Sequence, residues 1–223
     1  MCQREDKPQV NNISSKRLAA VAVVTAAAVI VLDQLMKFWV KTNFYLGEDV
    51  EILSWFHLRF IQNNGMAFGM EFGSKLMLTC FRIGLVSVLT WYLARLVKAA
   101  LVPVGYIVAV ALVCAGALGN IIDCVFYGEI FTNPYPPEVA TTVEFGHGYG
   151  TWFHGLVVDM LYFPLFSFQW PQWIPWVGGT AFSFFDPVFN LADAAITVGM
   201  FMVILFYSKY LGRKWYAPSA DDK

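Results

Sequence analysis

Charged residues are scarce in this chain of 223 residues: Asp, Glu, Lys and Arg make up only 14% of it, against about 25% in soluble domains. A net charge of -1 gives no case for a nucleic-acid partner. Between Lys98 and Lys209 there is no Lys or Arg at all. Histidine is nearly absent: His57, His147 and His154 show no HExxH-type spacing, so no metal centre is expected. The cysteines Cys2, Cys80, Cys114 and Cys124 are widely spaced and form no CxxC pair. A disulfide framework or zinc site is therefore not expected, and buried packing is. Cys2 has no apolar segment before it, so it does not mark a lipoprotein signal. No GxSxG elbow or phosphate loop is present, and no cofactor is expected.

Hydrophobic residues account for 58% of the chain and aromatics for 17%. Their distribution predicts four membrane spans, about 18–40, 76–96, 103–122 and 188–207, each close to the roughly 20 residues that cross a bilayer. Residues 50–61 are β-like, and the Asn63-Asn64-Gly65 run after them is a turn signal. From 126 to 187 the chain is rich in Gly, Pro and aromatics. Trp152, Trp170, Trp173 and Trp176 suit a segment lying along the membrane–water boundary. Leu156 to Phe168 is too short for a span and is interrupted by Asp159 and Pro164. The expected fold is an all-α membrane protein: four transmembrane helices, a small extracytoplasmic β-like platform and an interfacial segment. The expected division is a cytoplasmic tail at 1–16, a four-span domain at 17–212 with outer loops at about 42–74 and 124–187, and a second cytoplasmic tail at 213–223. Basic residues cluster before the first span, after the second and after the fourth. The positive-inside rule then puts both termini in the cytoplasm and both long loops outside.

The few polar residues within or beside the spans carry the chemistry. Asp33 and Lys37 are spaced i,i+4 in the order that favours a helical ion pair. They read equally as a pair near the headgroups, with Lys37 snorkelling, or as part of a binding site. Asn63 and Asn64 read as turn formers before ligand groups. Asn120 and Asp123 share a helical face, as do Asn190 and Asp193. An acid buried in a membrane domain is a functional candidate. The predicted topology gathers Asp33, Lys37, Asn63, Asn120, Asp123, Asp159, Asn190 and Asp193 on the outer side. Two aspartates in a poorly hydrated site, Asp159 and Asp193, cannot both ionise easily. One keeps its proton while the other activates a water. Spacing alone leaves proton relays and ion paths open.

Taken in order, Asp33-Gln34-Leu35-Met36-Lys37, Asn63-Asn64-Gly65-Met66-Ala67-Phe68, Gly116 to Asp123, Val157-Val158-Asp159 and Phe189 to Ile196 resemble the blocks of lipoprotein signal peptidase, or signal peptidase II. This is the bacterial intramembrane aspartyl peptidase family. The resemblance covers nearly all of residues 17 to 212. It implies an endopeptidase of the bacterial inner membrane acting on diacylglyceryl-modified prolipoproteins. Cleavage would fall on the N-terminal side of the lipidated cysteine. Asp159 and Asp193 would be the catalytic dyad. Asn63, Gly65, Asn120, Asp123 and Asn190 would line the site, with Asp33 and Lys37 in support. The family needs no metal and is blocked by globomycin.

Two departures stand out. Cys124 occupies the place of the Arg that usually follows the third-span Asp, so that charge is lost or comes from Arg59 or Arg82. The interval from Asp123 to Asp159 is longer than the family's. Two rival readings use the same acids: a small proton-coupled transporter, and a non-enzymatic lipoprotein-binding or assembly factor. No inverted repeat favours the transporter.

Overall fold

The computed structural model describes residues 13–64 and 75–211. Helix α1 (Ser15–Asn43) opens on Ser14, whose side chain accepts a hydrogen bond from the Arg17 N–H, as an N-cap does. Strands β1 (Asp49–Leu53) and β2 (Phe56–Asn63) follow, then helices α2 (Lys75–Ala99) and α3 (Val104–Ile122). Pro103 stands at the N-cap of α3. The end of α3 continues through a π-helical turn, Asp123–Tyr127, into the short helix α4 (Gly128–Ile130). Strands β3 (Val157–Tyr162), β4 (Phe166–Gln169), β5 (Ala181–Phe184) and β6 (Val188–Phe189) lead into helix α5 (Leu191–Phe206).

Among the described residues, three helical stretches are long and apolar enough to cross a membrane: Ser15–Asn43, Lys75–Ala99 and Val104–Ile130. The fourth expected span is a shorter apolar helix of 16 residues. It begins later than periodicity indicated because Val188 and Phe189 pair with Tyr162 and Leu161 of β3, and Asn190 caps the helix behind them. The tail expected at 1–16 falls largely outside the described residues, and the tail at 213–223 and Gly65 fall wholly outside.

Helix α3 is central, packed against α1, α2 and α5. It approaches α5 closely because glycine sits at the contacts. A Cβ on Gly116 would run into the Ala192 carbonyl, and one on Gly199 would lie 2.6 Å from the Ala109 carbonyl oxygen. Small residues give helices in lipid the contact that a hydrophobic drive cannot supply there. One core cluster at the far end of the bundle joins Leu18, Leu96, Tyr106, Ile107 and Tyr210. A second joins Val40, Phe60, Tyr127, Phe131, Val158 and Met160, welding the ends of α1 and α3 to the sheet. Outward faces of α1, α2 and α5 stay apolar, with Leu35, Phe81, Leu85, Phe201 and Leu205 all exposed.

The sheet runs β1-β2-β3-β6, antiparallel throughout. Its register sets Ile61 opposite Asp159 and Asn63 opposite Val157. Strands β4 and β5 form a separate two-stranded hairpin. The long connection after α4 is tied down by bridges between Phe131 and Thr142 and between Tyr45 and Val139. Lys41, with no accessible surface, is enclosed there by the rings of Phe60, Phe131 and Tyr149, its Nζ 5.1 Å from the Tyr149 centroid.

Candidate active site

The last third of α1, the end of α3, the start of α5 and strand β3 converge at one end of the bundle, and each brings a carboxylate. Asp33, Lys37 and Asp123 have no exposed surface. Lys37 Nζ lies 2.9 Å from Asp33 Oδ2, 2.8 Å from Asp123 Oδ2 and 2.8 Å from Asn120 Oδ1. An ammonium has three hydrogens, and each has an acceptor. The snorkelling alternative for Lys37 is thereby excluded. Asp123 does not reach water as a helix end would, because the helix continues past it through the π-helical turn.

Asp33 and Asp123 each accept three hydrogen bonds, one of them from Lys37. Asp33 Oδ1 accepts from the Ala192 N–H at 2.9 Å. Asp123 Oδ2 accepts from the Val158 N–H at 3.2 Å. Gln34 Nε2 donates to Asp123 Oδ1 at 2.9 Å and to Asp33 Oδ2 at 3.2 Å, while its Oε1 accepts from Tyr127 Oη. These two acids fasten α1 to α5 and α3 to β3. Gln34 and Tyr127 had no role in the sequence reading. The only signal for Gln34 was its place between Asp33 and Lys37.

Asp159 and Asp193 differ from them. Asp159 is 1% exposed and Asp193 is half-buried. Asn190 Nδ2 donates to Asp159 Oδ1 at 2.7 Å and to Asn120 Oδ1 at 3.1 Å. Asn120 Nδ2 in turn donates to Asp193 Oδ1 at 2.8 Å. Asp193 is the third residue of α5 and forms a capping box with Asn190: the Asn190 side chain accepts from the Asp193 N–H, and the Asp193 carboxylate accepts from the Asn190 N–H. Helix start and candidate acid are one device. Its Asn-x-x-Asp spacing was visible in the sequence, but not its geometry.

Burial, and next the charge of Asp193, push Asp159 up to about 7, against hydrogen bonds from Asn63 and Asn190 and the attraction of Lys37. Desolvation and a like charge both favour the neutral acid. Asn63 ends strand β2 and bonds to Asp159, so its side chain serves the site rather than a turn. The structure thus brings together Asp33, Lys37, Asn63, Asn120, Asp123, Asp159, Asn190 and Asp193. Gly65 lies outside the described residues. Among the described residues no group of three or more His, Cys, Asp or Glu could hold a metal ion.

Cys124 is 1% exposed, and Arg82 of α2 approaches it, with Nη1 3.5 Å from Sγ. Of the two arginines considered from sequence, Arg82 is the one that comes to this position. Arg59 lies over the Tyr162 ring, 5.4 Å from its centroid.

Fold and site together define a polytopic membrane protein with a buried carboxylate–amide network at one end of its bundle. Residues 25–209 match the family model described as Signal peptidase (SPase) II. The lipoprotein signal peptidase of Porphyromonas gingivalis is 44% identical over 195 residues, covering 86% of each chain. That of Amoebophilus asiaticus is 37% identical over 187 residues, covering 81% of this chain and 74% of its own. A bacterial membrane enzyme solved by the in meso method at 1.9 Å superposes with a TM-score of 0.57 at 23% identity, covering 87% of this chain and 95% of that one; this likeness concerns the fold. The chain belongs to the signal peptidase II family, and with it to the membrane-embedded proteases.

Proposed function

We propose that this protein is an intramembrane aspartyl endopeptidase that removes the signal peptide from diacylglyceryl-modified prolipoproteins, cutting on the N-terminal side of the lipidated cysteine. The observation that carries the reading is the amide bridge Asp159–Asn190–Asn120–Asp193. It holds one acid buried and the other half-open beside apolar helix faces. Family membership and the lipoprotein signal peptidase relatives support the substrate class.

In the reaction, Asp159 carries the shared proton near neutral pH and Asp193 is the base. Asp193 takes a proton from a water molecule as the water oxygen bonds to the scissile carbonyl carbon, and Asp159 protonates the carbonyl oxygen. Collapse of that intermediate breaks the C–N bond. The leaving amine takes the proton from Asp193, and Asp159 recovers its own. Asn63 and Asn120 are half-buried and orient the substrate backbone, together with Gly65. Asp123 and Asn190 brace the acids from behind, and Asp33 and Lys37 lock α1 to α3 and α5. Acyl chains of the substrate lie among the helices. They add about 0.8 kcal/mol per buried methylene and fix the depth of the scissile bond.

The distribution of Lys and Arg supports a multi-pass protein of the bacterial inner membrane, with residues 17–212 as the peptidase domain. Its tails at 1–16 and 213–223 are cytoplasmic, and its site opens toward the outer face. The test uses purified protein with lipidated and unlipidated prolipoprotein. Cleavage of the lipidated form only, blocked by globomycin-type inhibitors, is expected. Asp159→Asn and Asp193→Asn should each lose about 100-fold or more in rate while still binding substrate. Cleavage surviving either change would remove that aspartate from the dyad.

A further inference from the structure

From Met160 to Phe185 the chain contains no Asp, Glu, Lys, Arg or His, although it leaves the sheet beside the candidate site and returns to it. Within this stretch β4 and β5 pair from Phe166 opposite Phe184 to Gln169 opposite Ala181. Phe166 and Phe184 stack with centroids 4.8 Å apart. The loop beyond them closes on itself. Gly179 N–H donates to the Trp170 carbonyl at 2.8 Å, Trp170 N–H to the Thr180 carbonyl at 3.0 Å, and Gly178 N–H to the Ile174 carbonyl at 2.9 Å.

These backbone bonds close the loop internally, while two of its indoles are left bare. Trp173 is 80% exposed and Trp176 101%. Trp176 also has φ +66°, in the left-handed region that a bulky L-residue rarely occupies. Such strain persists only where the surroundings impose it, and it gathers at functional positions. Trp176 thus combines a left-handed backbone with a fully exposed indole.

We propose that the β4–β5 hairpin is an anchor in the membrane interface, and that its partner is the headgroup–acyl boundary of the leaflet nearest the candidate site. Exposed Trp with no charge nearby is the composition of interfacial belts, where an indole meets both apolar and polar surroundings. A partner recognised in water would be met by a polar rim that includes charge, and this segment has no charged residue. The hairpin is also tied to the bundle by a short link: β6 and Asn190 lead directly into α5, whose Val198, Phe201, Ile204 and Leu205 are exposed apolar residues. One arm of the hairpin leaves β3 three residues after Asp159, and the other returns through β6 to Asn190 and Asp193. The anchor therefore sets the depth of both acids in the bilayer. Anchoring itself does not depend on the peptidase reading.

The experiment reconstitutes the full chain in phosphatidylethanolamine–phosphatidylglycerol vesicles containing lipid spin-labelled either at the headgroup or at the acyl terminus. Trp emission of the parent minus that of Trp173→Phe/Trp176→Phe reports the two indoles, and the Phe replacements keep the apolar bulk. The headgroup label should remove most of this difference emission, the acyl-terminal label much less, and aqueous acrylamide little. Strong acrylamide quenching in vesicles would put the indoles in water and overturn the proposal. Protection from acrylamide and from both lipid labels would mean a protein partner, a second copy included, and would overturn it as well. The single variant Trp176→Phe, which alters a fully exposed side chain, gives the same readout if the double variant does not fold.

Discussion

Asn190 Nδ2 lies 2.7 Å from Asp159 Oδ1, and the same side chain caps the helix that carries Asp193. One amide thus fixes the buried acid directly and the half-buried acid through its helix. Asn190→Ala removes an N-cap, about 0.5–2 kcal/mol, and takes from the buried Asp159 carboxyl one of its donors, about 1–3 kcal/mol. Thermal unfolding in detergent should show a loss of roughly 2–4 kcal/mol, with cleavage nearly abolished. A variant of parental stability would mean that the cap is replaced from elsewhere.

The raised value of Asp159 has consequences for pH. Burial is the first cause and the Asp193 charge the second, so Asp193→Asn should lower it. Isotope-edited infrared titration of the Asp159 carboxyl would show this directly. A folded value of about 7 against an ordinary 3.8 means that the folded state binds the proton more tightly. The corresponding stability is complete below about pH 4 and is lost as pH climbs to about 7. The parent should therefore lose on the order of a few kcal/mol over that window relative to Asp159→Asn. Cleavage should decline above about pH 7, as the proton needed by the carbonyl oxygen leaves.

Lys37 neutralises two carboxylates that have no access to water. Lys37→Met should destabilise the protein by about 3–5 kcal/mol, because removing one partner strands the others. Adding Asp33→Asn and Asp123→Asn should recover part of the loss, since neutral amides need no counter-ion. Equal unfolding temperatures for the single and triple variants would argue against the ion pairs as the source.

Arg82 and Cys124 meet between α2 and α3. Cys124→Arg alone sets two guanidinium groups together in a buried place, and it should lower both unfolding temperature and cleavage. In Arg82→Ala the same Cys124→Arg change should instead restore cleavage, since one cation again occupies the position. Additive damage in the double variant would show that the two positions do not exchange the charge.

Much of the site was legible because its local spacings are helical. The i,i+4 step from Asp33 to Lys37 and the i,i+3 step from Asn120 to Asp123 bring side chains to one face whatever the tertiary fold. The i,i+3 step from Asn190 to Asp193, which read as a helical face, is a capping box at the start of α5. What spacing could not supply was pairing across the chain. The antiparallel register that puts Asn63 beside the Asp159 strand depends on contacts between distant segments, and so its asparagine read as a turn former. The start of α5 was misjudged for a related reason. Val188 and Phe189 are as apolar as the helix after them, and only pairing with β3 makes them strand. The hairpin of β4 and β5 was visible as composition but not as shape, because alternating aromatics and prolines do not specify which strands meet.

The bond from the Ala192 N–H to Asp33 Oδ1 spans 159 residues. Asp193, its cap and the clasp on Asp33 all lie at the start of α5, the last α-helix among the described residues. Earlier segments emerging from the ribosome carry Asp33, Lys37, Asn63, Asn120 and Asp159, yet the water-activating group of the proposed dyad is missing until α5 arrives. On the proposed mechanism, proteolytic competence then waits for α5. A chain whose translation stops before α5 enters the membrane would hold Asp159 without its partner acid.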